Sequence, residues 1–438
     1  MLFTDHLYGT INFRGTPYED LIFELLGCPE VQRLRHMRLM NFDVPYIQDL
    51  SSTKRLPHSI GTCYLAYKIV EKSSLQLSVK KKIVAAALIH DIGILPYGHL
   101  LESIIKSKNI DFSHEKLVYQ ILTGTYHVTN IYHQILGSES LHLYKVLKQN
   151  NINPADIFDL ICPKENDSTA ISADIDLDNI DNIHRMAALL GYSNAKPNLN
   201  SLMESMFIDK ENKLVFKSSN EEALFEWLKM RQSIYTMIIG HPECVPYNAF
   251  LSKLLTLAIE LNVVNQQEWY VTDSEFENRL MNNKDTGQLA SWLLVRPHYE
   301  LLDYIWLISN SKPQFPLKDL ENHIPNEKFC QLKNSSFYFF WTENKLISRE
   351  VKVKYENGNQ NLLGYNSHSI LISQIAKTGY GLKAIKASER KIAKWRKEIL
   401  SYVSKVLPDW EFAVKFPKDY TDSFFTSKIP NEQLKLFK

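Results

Sequence analysis

From about residue 17 onward, the first half of the chain repeats apolar residues at intervals of three and four, with short polar breaks and few stretches that alternate as strands do. That periodicity restricts the first half to packed helices. Residues 83–88 form an apolar run short enough to be either a strand or a buried helix, and Ala85, Ala86 and Ala87 favour helix. Loops are expected at residues 163–169 and 193–200, where Pro, Asn, Asp and Ser cluster. A helical pair is expected over residues 221–239 and 247–261, parted by His241-Pro242-Glu243 and Pro246.

The character of the chain changes near residue 310, where Pro313, Pro316 and Pro325 punctuate a polar stretch. A domain boundary is placed there, separating a helical domain (residues 1–310) from a smaller α+β region (residues 311–438). In the second part, residues 337–341 and 351–355 read as strands, and Asn357-Gly358 reads as a hairpin turn. A helix rich in lysine and arginine is expected over residues 388–406. Its basic residues read as a solvated helix face, with a nucleic-acid or phosphate-binding surface as the alternative. The fold class is mainly α.

At 438 residues the chain can bury a large core without disulfides or other staples. Hydrophobic residues at 45% and charged residues at 23% exclude a disordered chain. A formal net charge of +1 gives no general attraction for nucleic acid, although one face can still be basic. Cys28, Cys63, Cys162, Cys244 and Cys330 are scattered, odd in number and without C-x-x-C spacing, which fits reduced thiols. No apolar run approaches the roughly 20 residues needed to cross a bilayer, and the N-terminus lacks a basic stretch followed by an apolar core. A cytoplasmic protein without membrane partners is expected.

The strongest chemical signal is Ala87-Leu88-Ile89-His90-Asp91-Ile92-Gly93, where an apolar helix delivers an adjacent His and Asp to its end. An imidazole nitrogen beside a carboxylate oxygen suits a divalent ion such as Mg, Mn, Fe, Ni or Zn. Taken alone, such a pair is more often a buried, hydrogen-bonded structural pair. Upstream lies Lys54-Arg55-Leu56-Pro57-His58-Ser59-Ile60-Gly61. Downstream, Asp174, Asp176, Asp178 and Asp181 crowd one segment that serves either a metal or a helix N-terminus.

With these motifs the chain resembles the HD-domain phosphohydrolases, in particular their deoxynucleoside triphosphate triphosphohydrolase branch. Asp5-His6-Leu7-Tyr8-Gly9 is similar to that branch's opening motif, and Gln32-Arg33-Leu34-Arg35 is similar to its Q-R-L-R segment. The Arg55/His58, His90-Asp91, His114-Glu115 and aspartate-rich motifs follow in the branch's order, so the resemblance covers residues 1–260.

The resemblance implies four metal ligands, His58, His90, Asp91 and Asp178, for a divalent ion. It also implies acid–base roles for His99, Glu102 and His114, and phosphate contacts by Arg55 and Arg231. His99 and Glu102, three residues apart, would share a helix face, and histidine titrates near neutrality. The implied activity is metal-dependent hydrolysis of a nucleotide, foremost a (deoxy)nucleoside triphosphate, by a homo-oligomer. A phosphodiester substrate, either a cyclic nucleotide or a single-stranded nucleic acid, is the alternative reaction. A nucleotide-binding regulatory protein with little turnover is the alternative of another class.

Several positions depart from the branch. Leu39 and Met186 replace groups that hydrogen-bond the sugar, and neither can do so. Asn179 replaces a phosphate-binding lysine, Asn182 and Ile239 replace tyrosines that wall the sugar, and Ile94 replaces a histidine. Gly27 stands where the mammalian relatives carry an aspartate that reads a guanine activator; Gln32 and Arg35, retained beside it, equally suit a structural role.

Overall fold

Ala85, Ala86 and Ala87 lie within the helix Leu77–Ile89, and the seven residues from Ile83 to Ile89 are all buried. Seven buried residues in succession leave no polar stripe, so this end of the helix is covered on every side. Its neighbours are the helices Arg55–Val70, Pro154–Ile161 and Glu19–Leu26. The alanines let these helices come close, and the expected helical state of the run is what the structure shows.

The computed structural model of the protein describes residues 1–41, 44, 47–108, 110–126, 141–165, 167–242, 244–264, 270–294, 299–311, 336–344, 348–377 and 389–415. Contacts divide the chain into two compact units, neither of them one continuous stretch. The first comprises Met1–Met230, Leu254–Ala290 and Val351–Leu363; the second comprises Arg231–Lys253, Ser291–Glu350 and Gly364–Lys438. Pro313, Pro316 and Pro325 lie outside the described residues, and a domain division near residue 310 stands as a proposal.

The first unit is a helical assembly. Beyond the helices already named it contains Gly98–Ser107, His114–Thr123, Leu143–Gln149, Leu177–Leu189, Ala195–Ser205 and Asp273–Asn282. Local sequence fixes several helix starts: the Ser113 hydroxyl accepts from the Lys116 amide at 3.1 Å, and Asn153 caps a helix opened by Pro154. Between residues 55 and 189 the described residues form helices and loops, with no strand. Residues 163–165 and 167–169 are irregular, as expected. The loop expected at residues 193–200 is a correction: Ala195–Ser205 is a helix. Ala195, Asn198, Leu199 and Leu202 repeat at helical spacing and are buried, so tertiary packing overrides the local cluster of polar residues.

Three small hairpins complete this unit: Leu2–Asp5 with Gly9–Asn12, Met206–Ile208 with Leu214–Phe216, and Val351–Lys354 with Gln360–Leu363. The last turns at Asn357-Gly358, where Gly358 has φ +82°, the left-handed conformation that glycine enters without strain. It joins the helical unit through Lys354, which donates to Asp209 at 2.6 Å, and Tyr355, whose hydroxyl donates to Glu221 at 2.9 Å.

The second unit is α+β. Its antiparallel sheet runs Ala413–Lys415, Tyr299–Ser309, His368–Lys377, Ser336–Asn344 in spatial order. The strand Tyr299–Ser309 was not expected from the sequence; its alternation is blurred because Tyr304, Ile305, Trp306 and Leu307 are all buried, on both faces of the sheet. The basic helix Glu389–Val406 presents Trp395, Ile399 and Val403 to Ile305, Leu307, Ile370 and Ile372. Arg396 grips the buried Asp303 with two bonds of 2.6 Å.

Candidate metal centre

Three helices deliver the histidines and aspartates of the sequence motifs to one place. The helix Arg55–Val70 starts where the Arg55 amide donates to the Met37 carbonyl at 3.0 Å, which puts His58 in its first turn. The helix Leu77–Ile89 ends at His90. The helix Leu177–Leu189 is capped by Asp176, whose carboxylate accepts from the amides of Ala173 and Asn179 at 2.8 and 2.7 Å. The capping reading of the aspartate cluster therefore holds for Asp176. Asp178, two residues on, faces the histidines.

His58 Nε2 lies 3.2 Å from His90 Nε2 and 2.9 Å from Asp178 Oδ1. The other nitrogens are committed elsewhere: His58 Nδ1 faces Asp181 Oδ1 at 2.7 Å, and His90 Nδ1 faces the Ala87 carbonyl at 2.9 Å. Both of those partners are acceptors, so both Nδ1 atoms carry the hydrogens. In the neutral rings the two Nε2 lone pairs then point at one another and at a carboxylate, which is repulsive unless a cation or protons intervene. Two imidazole nitrogens and a carboxylate oxygen within 4.8 Å of one another can hold a metal ion, and the donor set fits a divalent one.

The electrostatics point the same way. Burial pushes His90 down, yet the Asp91 and Asp178 charges outweigh it and carry its pKa up to about 10. His58 is likewise opposed by burial and raised by Asp178 and Asp181. Asp178 resists burial because His90 and His58 hold its carboxyl well below the usual range. The site is built for positive charge, and protons supply it where a metal does not.

Behind His58 stands a second layer. Asp181 is fully buried and also accepts from Arg185 Nε at 2.9 Å and from the Tyr8 hydroxyl at 2.8 Å, while Arg185 reaches Asp5 at 2.8 Å. Burial works against its charge, but Arg185 and His58 keep Asp181 ionised. The Asp5-to-Gly9 motif is thus a brace for Asp181. Sequence reasoning weighed Asp181 only as a neighbour of Asp178; the Asp181/Arg185 spacing of four on one helix was the available signal. Gly61 belongs to the same packing, since a Cβ there would stand 2.2 Å from Asp181 Oδ2 and 2.3 Å from an Arg185 nitrogen.

Of the other expected site residues, Asp91 lies beside this cluster. Asp91 Oδ2 lies 3.6 Å from His90 Nε2 and 4.0 Å from His58 Nε2, and the same oxygen takes Arg55 at 2.8 Å. Arg55 also donates to the Leu39 carbonyl at 3.1 Å. His99 Nδ1 is 3.3 Å from Glu102, which accepts from Lys106 at 2.7 Å. Burial opposes the Glu102 charge, but His99, Lys106 and His114 bring its pKa down to about 2. Burial lowers His114, against the pull of Glu102 and Asp91. Arg231 lies in the second unit, with its guanidinium 4.8 Å over the Tyr235 ring. Asn179, at the lysine position of the resembled branch, donates its side chain to Asp176 at 2.9 Å. Leu39, Ile94 and Met186 are buried, and Asn182 has a buried side-chain oxygen with no partner among the described residues.

A match to the HD domain family covers residues 55–186. Its limits run from Arg55, at the start of the His58 helix, to Met186, two turns past Asp178. HD domains generally bind a divalent metal and hydrolyse phosphate bonds, and among the described residues His58, His90 and Asp178 could hold such an ion. The chain is 23% identical over 267 residues to the uncharacterized protein YwfO of Bacillus subtilis, which covers 60% of this chain and 56% of that protein. It is 26% identical to the uncharacterized protein MG461 of Mycoplasma genitalium, over 80% of this chain and 82% of that one. A third relative, the uncharacterized protein MJ1154 of Methanocaldococcus jannaschii, is 22% identical over 73% of this chain and 63% of its own length. The alignments with MG461 and MJ1154 are longer than the HD domain itself. Among the described residues no helix is long and apolar enough to cross a membrane. Cys28, Cys63 and Cys162 are free thiols.

Proposed function

We propose that the chain is a metal-dependent phosphohydrolase acting on nucleotides, foremost on a (deoxy)nucleoside triphosphate. The observation that carries this reading is the facing pair of Nε2 atoms 3.2 Å apart with Asp178 at 2.9 Å, a cluster of acceptors that a divalent ion would satisfy. When bound, such an ion neutralises phosphate charge and lowers the pKa of water. Asp91 completes the ligand set from beside it. Arg55, fixed by Asp91 and the Leu39 carbonyl, is assigned a contact to phosphate oxygens beside Asp91. His99 with Glu102, and His114, whose pKa burial lowers, are the groups to take a proton from the attacking water and pass it to the leaving oxygen. Arg231 is assigned a further phosphate contact.

Purified protein incubated with Mn²⁺ or Mg²⁺ and a panel of dNTPs and NTPs should release nucleoside and inorganic triphosphate from at least one of them. Absence of any nucleoside or phosphate release across the panel would overturn the nucleotide reading.

A phosphodiester substrate is the second reading. Arg390, Lys394 and Lys397 are exposed along the helix Glu389–Val406, on a face that suits a nucleic-acid backbone. Cleavage of a single-stranded oligonucleotide that declines steeply with salt would favour it.

A further inference from the structure

Two backbone amides on segments that feed the site are held by one carboxylate from a distant part of the chain. Asp273 is the first residue of the helix Asp273–Asn282 and is 2% exposed. Its Oδ2 accepts from the Arg38 amide at 2.6 Å, and its Oδ1 accepts from the Tyr97 amide at 3.3 Å. Arg38 forms a β-bridge with Lys54, flanked by bonds from the Leu39 amide to Thr53 and from the Arg55 amide to Met37, so it fixes the start of the His58 helix. Tyr97 immediately precedes the helix Gly98–Ser107, which carries His99 and Glu102.

One turn along the same helix, Glu277 Oε1 accepts from the Tyr97 hydroxyl at 2.8 Å and from Arg38 Nη1 at 2.5 Å. The Phe276 ring meets the edge of Tyr97 at 6.3 Å between centroids. The anchoring helix is itself secured by a reciprocal Thr272/Glu275 cap, and Arg33 holds the Val271 carbonyl just before it.

Tyr97 needs this grip. Its backbone is left-handed, with φ 58° and ψ 12°, a conformation that bulky residues adopt only where their surroundings over-determine it. Gly98 follows at φ +51°, and a Cβ there would stand 2.3 Å from Asn41 Oδ1. The direction in which the His99 helix leaves this turn therefore depends on what holds Tyr97.

We propose that Asp273, assisted by Glu277, is a positioning residue of the hydrolytic site. It locks the Arg38 segment and the Tyr97 turn in one register and so sets His99 and Glu102 against the His58 helix. The inference rests on the acid–base reading of His99 and Glu102. Asp273 and Glu277 bind Arg38 and Tyr97 rather than the candidate metal ligands, and the Leu39–Thr53 and Arg55–Met37 bonds hold the start of the His58 helix without them, so the clamp should govern turnover and leave metal affinity alone.

Asp273→Asn in the full chain tests it, because an amide keeps the shape and replaces one accepting oxygen with a group that cannot accept. For whichever nucleotide the wild type hydrolyses, kcat should fall roughly 10–100-fold. KM and Mn²⁺ affinity should stay within about twofold, and amide exchange over residues 37–41 and 95–101 should quicken about tenfold. Glu277→Gln should lose kcat in the same direction by a smaller factor. A folded Asp273→Asn protein with wild-type kcat, or one whose Mn²⁺ affinity falls in step with kcat, overturns the proposal. Should Asp273→Asn fail to fold, Glu277→Gln is judged by the same two criteria. Should the wild type hydrolyse no nucleotide, the functional reading fails on its own; unchanged exchange in both segments then overturns the clamp, and faster exchange supports it.

Discussion

Asp181 Oδ1 lies 2.7 Å from His58 Nδ1, and this bond decides which nitrogen of His58 faces the metal centre. The same carboxylate is held by Arg185 and Tyr8, so the imidazole is oriented by a braced partner rather than by packing alone. Partners of this kind set both the tautomer and the basicity of a ligating histidine.

Removing that brace should weaken the metal without removing a ligand. Asp181→Ala is expected to lower Mn²⁺ affinity by about 10–100-fold, read by calorimetric titration. An affinity equal to wild type would show that His58 is oriented some other way.

Loss of a ligand should be more severe. His90→Ala and Asp178→Ala are each expected to lower hydrolysis by about a thousandfold or more, equivalent to several kcal/mol of transition-state stabilisation. Asp91→Ala should do the same, although Asp91 sits beside the three-residue cluster. Far-UV circular dichroism should be unchanged. Retained activity in all three variants would remove the metal assignment.

Protons and metal compete for His90. Its folded pKa is raised to about 10 in the metal-free protein, burial being outweighed by Asp91 and Asp178, against an unfolded value of about 6.5. A raised histidine stabilises the fold fully below the unfolded value and loses that contribution as pH rises through the folded value. The chelated protein should therefore lose thermal stability between about pH 6.5 and 10, while the Mn²⁺-loaded protein holds its midpoint better. Paired melting curves across that window check it, and parallel curves would contradict the competition.

Gly61→Ala should injure the brace from the other side. A methyl group 2.2 Å from Asp181 Oδ2 must displace a fully buried ion pair, so a loss of about 1–3 kcal/mol in denaturant unfolding is expected, with weaker Mn²⁺ binding. Unaltered stability would mean that the Asp181/Arg185 pair shifts freely.

Much of this was legible in the chain. Helical spacing and the Ala85–Ala87 run gave the buried helix that ends at His90, and Asn357-Gly358 marked a true hairpin. These are local signals: a period or a turn residue acts through neighbours a few positions away. The helix Ala195–Ser205 was misread because its polar surface residues resemble a loop until the buried face is known. The strand Tyr299–Ser309 was missed because burial on both faces erases alternation.

The candidate site divides along the same line. The sequence alone named the candidate metal ligands, since His58, His90, Asp91 and Asp178 stand in motifs whose resemblance to a known family needs no coordinates to recognise. Tertiary structure decided the division of labour among the aspartates: Asp176 caps, Asp178 faces the histidines, and Asp181 orients His58. It also decided that Asp273, more than 170 residues from Tyr97 in the chain, grips the turn before His99. Residue type sets what a side chain can bond to. Which acceptor meets which donor across such separations is settled only by the packing of helices that the local sequence does not encode.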